Sequence, residues 1–223
     1  MPSQATRVSL WGFVNAYLVP QDDGLTLIDT TLAQGAGRIL AAADRLGAPI
    51  TRIVLTHAHG DHIGGLDKLK QSLPDAEVLI SARDARLLAG DKTPDPDEPQ
   101  RKLRGDYKGA RTKPTGMLVE GEHVGSLRVI ASPGHTPGHV SLLDERDQTI
   151  FCGDVYTTLG GVATSARGKP LFPLAAMATW DKQIELDSAG RLRALDPAYL
   201  APGHGRIVAS PLAAMDAAIA RGA

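Results

Sequence analysis

The chain has 223 residues, seven histidines, one cysteine and a formal net charge of −1. A chain of this length can bury a core that needs no disulfide, and the lone Cys152 excludes both an intramolecular disulfide and a thiolate-rich zinc site. The nearly balanced charge gives no general attraction to nucleic acid or to an anionic membrane, so we expect a small-molecule substrate. The cysteine usage fits a reducing compartment, and we predict a cytoplasmic location.

The first quarter of the chain predicts an antiparallel meander, followed by a helix and a buried strand. Asn15 and the lack of a small-residue cleavage pattern favour a strand over a signal peptide in "VSLWGFVNAYLVP". The predicted helix ends at Gly47 and has an apolar face formed by Ile39, Leu40, Ala43 and Leu46. In chain order the segments are "ATRVSL", "VNAYLV", "GLTLID", "AQGAGRILAAADRLG" and "ITRIVLTH".

The next part alternates helix and strand and then loses all periodicity. Helical spacing in "GGLDKLKQSLP" stops at Pro74, and a strand "AEVLIS" and a short helix "ARDARLLAG" follow. Residues 91–116 carry several prolines and mixed charges without a regular pattern. An irregular segment this long in a compact domain is either a solvated surface excursion or an active-site lid.

The second half predicts another set of strands and then helices. The strands are "HVGSLRVIAS", "GHVSLLDE", "QTIFCGD" and the start of "YLAPGHGRIV", while "LAAMATWDKQIELDSAGRLRAL" and "SPLAAMDAAIARGA" are read as one helix each. Two successive groups of strands and helices predict two packed sheets with helices outside. No linker-like composition separates them, so residues 1–223 are expected to form a single domain.

The stretch "THAHGDHIGG" concentrates potential metal ligands at the end of a predicted strand. His57 and His59 are two residues apart, so on extended backbone their side chains point the same way. Asp61 and His62 follow the turn and can be directed at a neighbouring point. A helical zinc motif would instead space its histidines four apart, so this loop suits a cluster of two metals.

Further ligands are expected after other strand-like runs, because catalytic zinc sites commonly use three protein ligands and a water. Three such residues each lie beside glycine, which allows the backbone to turn sharply and approach the site. They are His135 in "PGHTPGH", Asp154 in "FCGDVY" and His204 in "APGHG".

The ordered motifs HxHxDH, PGHTPGH, GD and PGHG resemble those of the metallo-β-lactamase fold superfamily, and in particular its glyoxalase II-like branch. The resemblance extends from about residue 15 to residue 208 and implies a four-layer αββα sandwich, an α+β fold with the metals at the edge between its sheets. It assigns His57, His59 and His135 to one metal and Asp61, His62 and His204 to a second. Asp154 is implied to bridge the two.

Two divalent ions, zinc by preference with iron or manganese also accepted, can make hydroxide available near pH 7 from a shared water. The resemblance therefore implies hydrolysis of an ester, thioester or lactone. Asp61 is expected to pass a proton to the leaving group, and Asp29 to hold a ligand histidine from behind. Tyr156 is either an oxyanion donor or an ordinary loop aromatic, and His139 is expected to support the site without binding metal.

At several positions the sequence differs from superfamily enzymes of known activity, and these differences narrow the choice of function. Asp154 stands where the zinc β-lactamases have cysteine or serine, and Thr157 stands where acyl-homoserine lactonases have tyrosine. Little chain follows His204, so the glutathione-binding region of glyoxalase II is not expected. An iron-dependent persulfide dioxygenase, a broad-specificity lactamase or phosphodiesterase, and a binding protein that retained the fold remain alternatives. His123 is expected to be solvated and Cys152 to be a core residue.

Overall fold

The computed structural model describes residues 4–222, and its first half forms a six-stranded mixed sheet. The first three strands form the predicted antiparallel meander, and the later strands add in parallel. Helices lie in the connections between the parallel strands. The elements are β1 Thr6–Leu10, β2 Val14–Gln21, β3 Gly24–Ile28, a 3₁₀ turn Ala33–Gly35, α1 Ala36–Leu46, β4 Ile50–Val54, α2 Gly60–Ile63, α3 Leu66–Ser72, β5 Glu77–Ser81, α4 Ala82–Leu88 and β6 Gly116–Leu118.

The second half forms another six-stranded sheet, in the order β14-β13-β10-β9-β8-β7. A two-stranded hairpin, β11 with β12, was not predicted from the sequence and follows directly after Asp154. The elements are β7 His123–Val124, β8 Leu127–Ala131, β9 Val140–Asp144, β10 Thr149–Gly153, β11 Tyr156–Thr157, β12 Ala163–Thr164, α5 Leu174–Ala178, α6 Lys182–Ala194, β13 Tyr199–Pro202, β14 Val208–Ala209 and α7 Leu212–Gly222.

Three buried apolar clusters define four layers. One joins the first sheet to its helices and includes Leu18, and a middle one between the two sheets includes Val19 and Phe151. The third joins the second sheet to α6 and α7 and includes Cys152. Neighbouring residues enter different clusters because side chains alternate between the two faces of a strand. The αββα sandwich is therefore confirmed, and so is Cys152 as a core residue.

The apolar pattern predicts one helix where the structure has two, and it predicts burial of a residue that is exposed. The segment predicted as a single helix near residue 180 is two helices, α5 and α6. Asp181 ends the continuity, because its carboxylate accepts the backbone N–H groups of Gln183 and Ile184 as an N-cap. Helix α1 ends with Gly47 at φ 67° as expected, but Leu46 on its last turn is 42 % exposed.

Helix α6 carries a carboxyl group that faces the interior. Glu185 is fully buried, and one of its carboxyl oxygens accepts the backbone N–H of Ser165 at 3.2 Å. The other oxygen has no hydrogen-bond partner within the described residues. Burial raises the pKa of Glu185 to about 8, so the group is mostly uncharged at neutral pH.

Residues 91–115 are irregular, as the sequence predicts, and His123 is half-exposed beside Glu145. Across residues 4–222, every helix is too short or too polar to cross a bilayer.

Candidate metal centre

The predicted ligands follow strands that all point toward one edge of the sandwich. In the second sheet β8 and β10 are both antiparallel to β9, and β13 is parallel to β10, so these three strands end on the same side. His135, Asp154 and His204 come directly after them. The His57–His62 loop follows β4 of the first sheet. Chain direction alone therefore collects ligands from four separate parts of the sequence.

The seven predicted ligands lie close together. The Nδ1 atom of His59 is 3.0 Å from Nε2 of His135, and Nε2 of His204 is 3.2 Å from Oδ2 of Asp61. Asp154 lies between the two groups, with its oxygens 3.3 Å from Nε2 of His62, 3.4 Å from Nε2 of His135 and 3.2 Å from Nε2 of His204. Three sets have ligand atoms within 4.8 Å of one another: His57, His59 and His135; His57, His62 and Asp154; Asp61, His62 and His204.

These side chains fit a metal because several of their polar atoms are buried without a partner. The Nε2 atoms of His57 and His62 and the Oδ1 atom of Asp154 make no hydrogen bond within the described part of the chain. Buried polar groups are ordinarily satisfied, and a lone pair aimed at a shared point is satisfied by a cation. Imidazole with carboxylate suits zinc, iron or manganese, so the cluster fits divalent metals without selecting one.

Asp29 orients two of the histidines, as the sequence predicts. Its Oδ2 atom lies 2.7 Å from Nδ1 of His62. The carboxylate also accepts the backbone N–H and the hydroxyl of Thr56, and that hydroxyl oxygen lies 3.0 Å from Nδ1 of His57. With hydrogen on Nδ1, each ring presents the lone pair of Nε2 to the cluster.

The other three histidines are oriented by partners that were not predicted. Arg104 and Phe13 contribute backbone carbonyl oxygens, 3.0 Å from Nε2 of His59 and 3.1 Å from Nδ1 of His204. For His135 the partner is the hydroxyl of Thr179, 3.0 Å from Nδ1. Carbonyl oxygens carry no residue-type signature, and Thr179 fell inside a segment predicted to be helical.

His139 supports the cluster without belonging to any of the candidate ligand sets. Its Nε2 atom accepts the backbone N–H of Asp154 at 3.1 Å, and its Nδ1 atom lies 2.9 Å from the hydroxyl of Ser132. This agrees with the supporting role expected from its position.

Asp84 is a functional candidate that the sequence reading missed. Its buried carboxylate accepts the backbone N–H of Ala58, the hydroxyl of Thr136 and the backbone N–H of Gly138, each at 2.8 Å. It thus ties the His57–His62 loop to the loop that carries His135. Burial raises the pKa of Asp84 to about 6. The available signal was a carboxylate on the same helical face as Leu87 and Leu88.

Tyr156 does not have the expected position. Its side chain is fully buried in the cluster between the second sheet and α6, and its hydroxyl donates to the carbonyl oxygen of Ala189 at 2.8 Å. Burial raises the pKa of this phenol well above its ordinary value. The prediction of an oxyanion donor at Tyr156 is therefore wrong, because the residue faces the core.

The protonation states of most of these side chains favour metal binding, whereas that of His204 opposes it. Burial lowers the pKa of His57 and His135 well below the ordinary value, which keeps both rings neutral. Burial would raise the pKa of Asp154, but His204 and His62 outweigh it and hold that pKa well below its usual range. For His204 burial acts to lower the pKa, yet Asp154 raises it to about 9, so a metal there competes with a proton.

The irregular segment forms one wall of this site. Besides the Arg104 carbonyl, the carbonyl oxygen of Asp106 accepts the backbone N–H of Gly60 at 2.8 Å. Gly105 has φ 93°, and a Cβ atom at this position would collide with the ring of His59. The carbonyl oxygen of Arg101 accepts the indole N–H of Trp180 at 3.2 Å. The inner part of the segment is thus packed against a predicted ligand rather than solvated.

Comparison with known proteins gives the family. The family model described as "Metallo-beta-lactamase superfamily" matches residues 10–204. The chain belongs to the metallo-beta-lactamase superfamily. The predicted family is therefore confirmed. In keeping with the fold, the protein TTHA1623 in a di-iron-bound form superposes with a TM-score of 0.64 at 30 % identity, covering 89 % of this chain and 91 % of that one.

Within the superfamily, YobT of Bacillus subtilis (strain 168) is 46 % identical over 207 residues, which is 92 % of this chain and 89 % of YobT. A hydroxyacylglutathione hydrolase, or glyoxalase II, of Rhodospirillum rubrum is 34 % identical over 139 residues. That match covers 60 % of this chain and only 43 % of the hydroxyacylglutathione hydrolase. It agrees with the predicted resemblance to the glyoxalase II-like branch.

Proposed function

We propose that the protein hydrolyses an ester, thioester or lactone of a small molecule at a pair of divalent metal ions. The observation that carries the proposal is the position of Asp154. Its carboxylate lies within 3.4 Å of histidines from both ligand groups, His135 on one side and His62 and His204 on the other. A single carboxylate between two histidine groups can serve two metal ions at once, which suits a dinuclear hydrolase.

Bound at these residues, two divalent ions would lower the pKa of a shared water to near neutrality and supply hydroxide as the nucleophile. Zinc is the metal we propose in the first instance. The ligand assignment follows the resemblance: His57, His59 and His135 for one ion, Asp61, His62 and His204 for the other, with Asp154 common to both.

Asp61 is the proposed proton donor to the leaving group. Its side chain is 35 % exposed, whereas the histidines around it are buried, so it lies on the open side of the cluster. Its Oδ2 atom is 3.2 Å from Nε2 of His204, which holds the carboxylate in place. A carboxylate that is both fixed and accessible can take up a proton and release it to a departing oxygen or sulfur.

Aromatic rings beside His204 support an organic substrate. The ring centroid of Phe172 is 4.8 Å from that of His204. The Phe13 ring lies 6.4 Å from the Phe172 ring, and the Trp11 ring lies 6.3 Å from the Phe13 ring. Trp11 is 62 % exposed, and Leu171, which precedes Phe172 in the chain, is 76 % exposed. Such a surface suits the apolar part of an ester or lactone better than a phosphodiester backbone.

The first experiment combines elemental analysis with a substrate panel. Protein purified without added metal is expected to contain about two divalent ions per chain and to hydrolyse members of a panel of p-nitrophenyl esters, thioesters and lactones. The double variant Asp61→Ala, His62→Ala should lose hydrolysis and half of the bound metal. The matched control Asp67→Ala, His123→Ala removes the same residue types from the surface and should change neither.

Retained hydrolysis in the Asp61, His62 double variant would overturn the proposal. So would one iron per chain together with oxygen uptake on glutathione persulfide, which would identify the dioxygenase that the sequence left open.

A further inference from the structure

Asn15 is a buried polar residue near the start of the apolar strand β2. Side chains alternate along a strand, so Asn15 shares with Tyr17 the face of β2 that packs between the two sheets. Asn15 is 1 % exposed. A buried amide group is costly unless its hydrogen-bonding atoms are satisfied, so the partners of Asn15 indicate what the residue does.

Asn15 donates three hydrogen bonds to the loop that carries His204. Its backbone N–H donates to the carbonyl oxygen of Gly203 at 2.9 Å. Its Nδ2 atom donates to the carbonyl oxygens of Pro202 at 2.9 Å and Gly205 at 2.8 Å. These carbonyl groups lie on both sides of His204 in the chain. Asn15 therefore fixes the main chain from which the His204 ring projects.

The neighbours of Asn15 permit one orientation of its amide. The Nη1 atom of Arg7 lies 3.3 Å from Oδ1 of Asn15 and donates to the carbonyl oxygen of Gly205 at 2.6 Å. The hydroxyl of Tyr17 donates to the carbonyl oxygen of Pro202 at 2.7 Å. Because arginine only donates and a carbonyl oxygen only accepts, the Asn15 oxygen faces Arg7 and its NH₂ group faces the loop. Of these three side chains, Asn15 is the one that bonds to both carbonyl groups.

The loop needs to be fixed because it passes close to two other predicted ligands. A Cβ atom at Gly203 would collide with the side chains of Asp154 and His62. His204 itself has its Nε2 atom 3.2 Å from Oδ2 of Asp154 and 3.2 Å from Oδ2 of Asp61. Metal–ligand distances vary by only about 0.2 Å, so a small movement of this main chain would separate His204 from a shared ion.

We propose that Asn15 is a positioning residue for the second metal ion. It acts through the main chain of residues 202–205 and holds His204 where it can share an ion with Asp61 and Asp154. The inference rests on the ligand assignment of the proposed function, but it does not depend on which bond is hydrolysed. It also explains a polar residue in a strand that is otherwise apolar where it faces the second sheet.

Zinc affinity, measured by competition with a chromophoric chelator, tests this role. Asn15→Ala removes both side-chain hydrogen bonds to the loop and keeps the backbone one. The reference variant His204→Ala identifies which of the two binding steps needs His204. We expect Asn15→Ala to weaken that step about tenfold, as the loss of outer contacts does at other metal sites, and to leave the other step within about twofold of the parent.

The matched control is Val19→Ala. Val19 lies on the same face of β2, in the apolar cluster between the sheets, and is roughly 13 Å from Asn15 along the strand. Shortening its side chain lowers stability in the same layer, so the melting temperature should fall. Both zinc-binding steps should stay as tight as in the parent, because the His204 loop is not touched.

The double variant Asn15→Ala, His204→Ala distinguishes positioning from a general loosening of the site. If Asn15 acts through His204, its removal changes nothing further once His204 is absent. A merely structural role would weaken the remaining step as well. Arg7→Met is a second single variant, at a half-buried position on the edge strand β1. It removes the other side-chain donor to Gly205 and should weaken the His204-dependent step roughly threefold.

The inference is overturned if the His204-dependent step is as tight in Asn15→Ala as in the parent, or if the remaining step weakens equally without His204. Should Asn15→Ala not fold, an unchanged step in Arg7→Met overturns it. In each of these cases the parent still binds two zinc ions and His204→Ala still loses one, so the proposed function stands. If His204→Ala loses no zinc, the ligand assignment is wrong and the inference falls with it.

Discussion

Replacing Asp29 by asparagine tests how the metal centre is oriented. The change keeps the size of the side chain, and asparagine accepts the left-handed backbone that Asp29 adopts at φ 57°. The amide oxygen can still accept the backbone N–H of Thr56, which lies 2.8 Å from Oδ1 of Asp29 in the parent. The other carboxylate oxygen is replaced by an amide NH₂ group, placed 2.7 Å from Nδ1 of His62. Two donors would then face each other in a buried position.

The imidazole of His62 has two ways to relieve this conflict, and both weaken metal binding. It can rotate away from the cluster, or it can move its proton from Nδ1 to Nε2, the atom that lies 3.3 Å from Asp154. A hydrogen bond to a charged group contributes about 1.5–3 kcal/mol, which corresponds to roughly a 10- to 100-fold loss of affinity for one metal. Removing such outer contacts at other metal sites has effects in the same range.

The affinity is best measured by competition with a chromophoric zinc chelator, which separates a tight from a weak binding step. We expect Asp29→Asn to weaken one step by the stated factor, and hydrolysis to fall at limiting zinc and recover in excess zinc. Asp67→Asn is the matched control, because Asp67 accepts hydrogen bonds from Thr112 and lies outside the cluster. Zinc affinities within twofold of the parent in both steps would refute the assigned orientation of His62.

Three other substitutions give distinct outcomes. Gly105→Ala adds a Cβ against the ring of His59 at a positive φ. Thermal denaturation should therefore show a loss of about 1–2 kcal/mol of stability, and zinc binding should weaken. Unchanged zinc binding would contradict the packing of the irregular segment against His59. Glu185→Gln should flatten the pH dependence of stability. The contribution of Glu185 is largest below pH 4.5 and is lost at roughly 1.4 kcal/mol per pH unit as pH rises toward about 8, so parallel denaturation profiles of parent and variant would refute the uncharged state. Tyr156→Phe loses the bond to Ala189 and should cost about 1 kcal/mol of stability while kcat is kept, whereas a tenfold drop in kcat would return Tyr156 to the active site.

The fold could be predicted from the sequence because the patterns that indicate its strands and helices are local and repeated. The order of strands and helices predicted the layers, and glycine-flanked ligands after apolar runs predicted which side chains meet. Both depend on chain direction and strand period, which a single sequence contains. On that basis the sequence predicts that His57, His59, His135 and Asp154 lie near one another, and the structure brings them within reach of a shared metal.

The failures occurred where the backbone departs from its period. Tyr156 lies two residues beyond Asp154, but the pairing of β10 with β13 shifts register between Phe151 and Gly153, and Gly153 takes φ 48°. The alternation of side chains does not continue through such a turn. In the same way, the apolar spacing of α5 and α6 runs across Asp181, where a capping carboxylate outweighs it.

The carbonyl oxygens that orient His59 and His204 have a consequence for how the protein can change. Both contacts come from the main chain, at Arg104 and Phe13, so the side chains at these two positions are not needed to orient the ligands. These residues also lie in the segments that border the site. Selection can therefore exchange side chains there and alter which molecules are accepted, while the metal ligands and their orientation stay the same.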